Sequence, residues 1–199
     1  MKTIVSIGLR AKTARAIAVV VAAPSDSPVA VRRAELILAS STLPATFEPY
    51  HEVMELPWQR ATVAVQKAAS AIEVIASEAL QGLVSQTRSD DLIVCGVGIV
   101  GAPDRNLEAI GSPHIRAHAA EGVLFRRVLE HAAKTNRLSS RTFSERVFED
   151  LAAAELGLTA AVLRSRVAEL GRALGRPWRA DEKMAATAAW LALLAYDQG

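Results

Sequence analysis

Apolar residues follow two different rhythms along this chain. Near the start they run almost without a break. Thr3–Leu9 and Ala14–Ala23 are short, rich in β-branched residues and parted by the basic stretch Arg10-Ala11-Lys12-Thr13. Both predict β-strands joined by a polar turn. Pro24-Ser25-Asp26-Ser27-Pro28 is a turn cluster. Val29–Ala39 resumes as a third strand, with Arg32, Arg33 and Glu35 marking a side that faces water. Three strands with such short connections form an antiparallel meander.

Farther on the rhythm becomes helical. Ser40–Leu56 carries Pro44, Pro49 and the polar group Tyr50-His51-Glu52, and predicts an irregular connection. Pro57 suits a first helical turn. From Trp58 to Gln86, residues Val65, Ala68, Ile72, Ile75, Ala79 and Leu83 recur at helical spacing. They predict one amphipathic helix about 40 Å long. Leu92–Val100 does not alternate, which predicts a strand buried on both faces. After the loop Gly101–Gly111, Ser112-Pro113 opens a helix to about Thr135, with Leu124, Val128 and Leu129 inward. Arg141-Thr142-Phe143 predicts a short last strand, with Ser144 capping the next helix. Glu145–Leu156 and Thr159–Leu174 are helical, divided at Gly157 and closed at Gly175, and Asp181–Tyr196 is a final Ala/Leu-rich helix. The order β-β-β-α-β-α-β-α-α-α makes this an α/β chain, expected to form one domain over residues 1–199.

Composition narrows the picture. Hydrophobic residues make up 51% and charged residues 22%, which favours a buried core over disorder. Cys95 is the single cysteine, so an internal disulfide and a cysteine-based zinc site are excluded. It lies in an apolar run and reads as a small buried residue. No apolar run approaches a membrane span. Lys2, Arg10, Lys12 and Arg15 ahead of Ala16–Ala23 imitate a secretory leader, but Thr3–Leu9 is already apolar upstream and the basic linker splits the two runs. A cytoplasmic protein is expected. The net charge is only +2, yet residues 126–179 hold eleven Arg/Lys against six Asp/Glu. That half suits a polyanionic partner. No long run of adjacent basic residues stands out, so a solvated helix surface explains it equally well.

Several side chains have chemistry to offer. His114, His118 and Glu121 fall at i, i+4 and i+7 of one helix and share a face. Two imidazoles and a carboxylate suit a transition metal, although an exposed first turn accounts for them as simply. Tyr50, His51 and Glu52 sit in a proline-bounded loop, a natural lip over a cleft. Trp58 and Trp178 are expected to cover ends of the core. Gly96, Gly98 and Gly101 match a dinucleotide loop poorly, because they begin inside a strand and no helix follows. They read as close packing. Arg10-Ala11-Lys12-Thr13 lacks the glycines of a phosphate loop, which disfavours nucleotide hydrolysis. Asp181 reads as a helix N-cap.

The layout resembles the ribonuclease-H-like superfamily, and within it the RuvC-type Holliday-junction resolvases. The stretches that carry the resemblance are Ser6-Ile7-Gly8-Leu9, Leu92–Val100, and the tail from Gly157-Leu158 through Gly175-Arg176-Pro177-Trp178 to the helix beginning Asp181-Glu182-Lys183-Met184. The resemblance implies a mixed five-stranded sheet of order 3-2-1-4-5 with helices on both faces. The long helix would cross the sheet and the last would lie near the first strand. It also implies a magnesium site built from acids on the first strand, the fourth strand and the last helix, since two divalent cations need several carboxylates. Here the first-strand position falls on Leu9 or Arg10 and the fourth-strand position within Cys95–Gly98. Asp181 and Glu182 remain, with Met184 at the most consistent acidic position of the group.

The leading expectation is therefore a catalytically degenerate binding module for nucleic acid or another protein. Arg10, Lys12, Arg164, Arg166, Arg172, Arg176 and Arg179 would contact phosphates, and no cofactor is needed. One alternative is a magnesium- or manganese-dependent nuclease or phosphodiesterase with a relocated site drawing on His114, His118, Glu121, Asp181, Glu182 and Glu52. Another is a structural protein, a homodimer paired through its Ala-rich long helix.

Overall fold

The computed structural model describes residues 2–198. The strands are β1 (Thr3–Lys12), β2 (Arg15–Ala22), β3 (Val29–Ile37), β4 (Leu92–Gly101) and β5 (Ser140–Ser144). The helices are α1 (Trp58–Ala64), α2 (Gln66–Ser89), α3 (Pro113–Thr135), α4 (Phe148–Glu155), α5 (Ala160–Leu170) and α6 (Ala180–Asp197), with a single 3-10 turn at Pro44–Thr46. The sheet order is β3-β2-β1-β4-β5, the order expected above. The first three strands are antiparallel, and β4 and β5 join parallel. Among the described residues no helix is long and apolar enough to cross a membrane.

Period-two alternation on β1 divides the molecule into two cores. Val5, Ile7 and Leu9 face a cluster containing Ile72, Leu80, Phe125 and Leu129 from α2 and α3. The other face receives α6 and the small helices, with Trp190, Leu191 and Leu193 at its centre. On that second face β1 presents Ser6 and Gly8. The Ser6 hydroxyl donates to the Ala189 carbonyl oxygen at 2.6 Å. A Cβ at Gly8 would stand 2.6 Å from the Ala189 nitrogen, and one at Gly98 2.6 Å from the Ala188 carbonyl carbon. The glycines thus let the backbone of α6 lie directly on the two central strands.

The structure redraws several expected boundaries. Arg10 and Lys12 are strand residues and not a linker. Pairing continues to Lys12↔Arg15, and the hairpin closes over Thr13-Ala14, with Ala14 at φ 62°. The long helix is two helices, because the regular ladder lapses at Val65, whose ψ is −9°. Strand β4 is covered only from Gly96 onward, and Cys95 is half-buried. Ser144 ends β5, and α4 begins at Phe148. Helix α5 is capped by Thr159, whose hydroxyl accepts from the Val162 N–H, and it stops at Leu170. There the chain turns back so that the Trp178 indole lies over Gly171 and donates to the Val167 carbonyl at 2.9 Å. Asp181 is not the N-cap of α6. That position is Arg179, and the buried Glu182 reaches back to accept its backbone N–H at 2.9 Å.

Candidate functional site

Because Arg10 shares a face with Ser6 and Gly8, its side chain emerges where α6 begins. The guanidinium is buried. It donates to the carboxylate of Glu145, just past β5, and lies 3.5 Å from Asp181 Oδ1 on the first turn of α6. Lys12, two residues on and half-exposed, reaches the same Asp181 oxygen at 3.6 Å. Opposite Arg10 on β4 stands Val100. The resulting depression is lined by Arg10, Ala11, Lys12, Thr13, Ala102, Gly122 and Glu145. Two carboxylates and two cations therefore neutralise one another at the C-terminal edge of β1. Two buried or partly buried cations here oppose the approach of a divalent metal.

A second constellation forms where the loop between β3 and α1 meets the first turns of α3. Ser112 caps this helix, its hydroxyl accepting from the Ile115 N–H. His114 and His118 project from it one turn apart. Glu121, one turn farther in, is 1% exposed. Its Oε1 accepts from the backbone N–H groups of Tyr50 and His51, each at 3.2 Å, and from His51 Nδ1 at 2.9 Å. One buried carboxylate thus fastens the loop to the helix and orients His51. The ring of His51 then lies 4.3 Å from that of His118 and 5.3 Å from that of His114, and the latter two are 4.4 Å apart, centroid to centroid. One ring nitrogen from each of the three lies within 4.8 Å of the others. His51 Nε2 is buried without a hydrogen-bond partner. Beside the cluster Tyr50 stacks on Trp58, with the Arg116 guanidinium 5.9 Å from the Trp58 ring centre. Burial raises the Tyr50 pKa, and the charge of Arg127 partly offsets that.

The structure sorts the remaining candidates. Glu121 holds His51 and stands outside the imidazole group. Asp181 is engaged with Arg10 and Lys12, Glu182 caps α6, and Glu52 is exposed, so the relocated set does not meet as one cluster. Arg164, Arg166, Arg172, Arg176 and Arg179 are all exposed. Arg164 pairs with Glu149 and Arg172 approaches Glu169 at 3.9 Å. Arg10 is withdrawn from the surface and spent on acids, which removes it from the phosphate contacts expected from the sequence.

No family model and no curated protein matches the chain by sequence. Solved structures do match by shape. Thermus thermophilus RuvC superposes with a TM-score of 0.53 at 11% identity, over 98% of this chain and 95% of that one. T. thermophilus RuvC in complex with a Holliday junction substrate superposes with a TM-score of 0.50 at 11% identity, over 98% and 94%. The fold is that of RuvC. Within this fold, the strand end where the resemblance implied an acid carries Arg10, and its β4 neighbour is valine.

Missing from the sequence reading was the role of His51. It was visible in a polar loop, but no spacing ties position 51 to a helix about seventy residues later. A signal was present in Glu121, an acid sharing a helical face with the apolar Ala117, Phe125 and Val128, where a buried carboxylate requires a partner.

Proposed function

We propose that this chain is a nucleic-acid-binding domain of ribonuclease-H-like fold that does not cut by the two-magnesium route. The observation that carries the reading is the pairing of Arg10 with Asp181 and Glu145. A two-metal centre needs several carboxylates free to face cations, and here the acids at the strand end already have theirs. Binding needs only positive surface and shape. Arg164, Arg166, Arg172, Arg176 and Arg179 supply exposed charge along α5 and the segment leading into α6. Of these, Arg166, Arg176 and Arg179 make no ion pair among the described residues. Lys12 adds a half-exposed cation at the strand end. The RuvC neighbour solved on a Holliday junction makes four-way DNA the first ligand to try.

The experiment is fluorescence anisotropy with labelled four-way, duplex and single-stranded DNA across a salt series, alongside a cleavage assay in Mg²⁺ and in Mn²⁺. Binding should weaken linearly in log salt, because phosphate contacts release counterions. The triple change Arg166→Glu, Arg176→Glu, Arg179→Glu should weaken it at least about tenfold and flatten the slope. No strand should be cut. Cleavage abolished by Asp181→Asn, or affinity indifferent to salt and to the triple change, would defeat the proposal.

A further inference from the structure

We infer that His51, His114 and His118 form a binding site for a zinc-like divalent transition metal, with Glu121 as the residue that positions His51. This does not rest on the nucleic-acid reading. Three features of the cluster point the same way. The first is distance. Tetrahedral ligands at a Zn–N length of about 2.0–2.1 Å lie about 3.3 Å from one another. The three nitrogens already lie within 4.8 Å, so each needs to move by less than about 1 Å to close on an ion. His114 and His118 are exposed and on neighbouring turns, and rotation of such side chains is inexpensive.

The second feature is the hydrogen bond from His51 Nδ1 to Glu121. A carboxylate that accepts from one ring nitrogen keeps the proton there and leaves the other as a lone-pair donor. This is the arrangement by which carboxylates orient metal-binding imidazoles. The third is the free nitrogen itself. His51 Nε2 is buried and has no hydrogen-bond partner, and a buried polar atom left unpaired is costly unless something binds it. A neutral core histidine would use both nitrogens, whereas this one uses a single nitrogen and shares its other side with two more imidazoles.

Donor chemistry selects the ion. Three imidazoles suit zinc, copper, nickel or iron and give magnesium or calcium little to hold. No fourth His, Cys, Asp or Glu joins the group among the described residues, and the exposed flank of His114 and His118 leaves the fourth position to water. Three protein ligands with one open position is the coordination of reactive zinc sites, in which the bound water ionises near neutrality. His118, one of the three ligands, lies one helical turn before Gly122, which lines the depression beside Arg10 and Lys12.

Calorimetric titration of the chelator-stripped full chain with ZnCl₂ tests the site. One ion should bind per chain and raise the thermal midpoint. His114→Ala, an exposed position that leaves the fold undisturbed, should weaken binding at least about a hundredfold, as should His118→Ala. Glu121→Gln should weaken it about ten- to a hundredfold, and circular dichroism on each variant reads whether the fold is retained. Mg²⁺ should give no saturable heat. Cobalt in place of zinc should show the intense visible bands of a four-coordinate ion, and these should vanish in His114→Ala. Zinc binding equally well to wild type and to His114→Ala, or saturable Mg²⁺ binding at the cluster, would overturn the inference. Neither result touches the DNA-binding experiment, so the two readings fail separately.

Discussion

Placing a single methyl group on the sheet at position 8 is the sharpest test of how this molecule holds its last helix. In Gly8→Ala the added Cβ overlaps the Ala185 carbonyl oxygen and stands 2.6 Å from the Ala189 nitrogen and 2.7 Å from the Ala185 carbonyl carbon, whereas ordinary contact begins near 3.4 Å. Helix α6 must therefore retreat by more than about 1 Å to clear the Ala185 oxygen, because the obstacle is helix backbone and no rotamer change relieves it. Retreats of about 0.5–1 Å forfeit roughly a quarter to a half of the dispersion well for each atom pair across an interface. Trp190, Leu191 and Leu193 all lie at that interface and are at most 1% exposed. Overpacking costs about 1–3 kcal/mol where neighbours can yield. With backbone opposing, we expect about 3–5 kcal/mol, a large share of the roughly 5–15 kcal/mol that stabilises a domain. Gly82→Ala is the matched control. Nothing lies within 4 Å of its Cβ, and it sits inside α2, so it should gain about 0.5–1 kcal/mol. Urea unfolding followed by far-ultraviolet circular dichroism reads both. With a slope of about 1–3 kcal/mol per molar, Gly8→Ala should lower the midpoint by about 1 M or more. A Gly8→Ala midpoint indistinguishable from wild type would show that α6 is not seated on β1 as described.

Two more outcomes follow from the charges and the thiol. Burial pushes the Cys95 pKa up to about 11, so at pH 8 only about one thiol in a thousand is ionised; native protein should react with a disulfide reagent orders of magnitude more slowly than urea-unfolded protein, and equal rates would refute the assignment. The Arg127 guanidinium, with Arg126, holds the Asp104 carboxyl below its ordinary value; since a depressed carboxyl stabilises the fold above its unfolded pKa and loses that contribution as pH falls through the folded one, the Asp104 carboxyl resonance should titrate below the usual range and return toward it in Arg127→Ala, with a stability change under about 1 kcal/mol because the pair is exposed. A resonance that Arg127→Ala leaves unmoved would refute the pairing.

The sheet was largely legible in the sequence, for a physical reason. Strand runs such as Leu92–Val100 declare themselves through continuous apolar residues, and the order β-β-β-α-β-α-β leaves few ways to pair them. The edges were less legible. Arg10 and Lys12 look like a loop by composition, yet backbone pairing with Ile17 and Arg15 holds them in β1, and tertiary pairing overrides local polarity. Asp181 looked like a cap because the cap preferences name aspartate, but the position belonged to Arg179, with Glu182 reaching back to it. The imidazole site was half visible. His114 and His118 announce a shared face by their spacing, while His51 arrives through a fold contact 70 residues away from Glu121, which no local pattern encodes.

Arg10 gives the pocket at the end of β1 a further meaning. Its guanidinium bridges Glu145 and Asp181, and Lys12 backs it. Take that bridge away and Glu145 loses its ion-pair partner while Asp181 keeps only Lys12. The guanidinium thus supplies from within the fold the positive charge that these two carboxylates would otherwise draw from solvent.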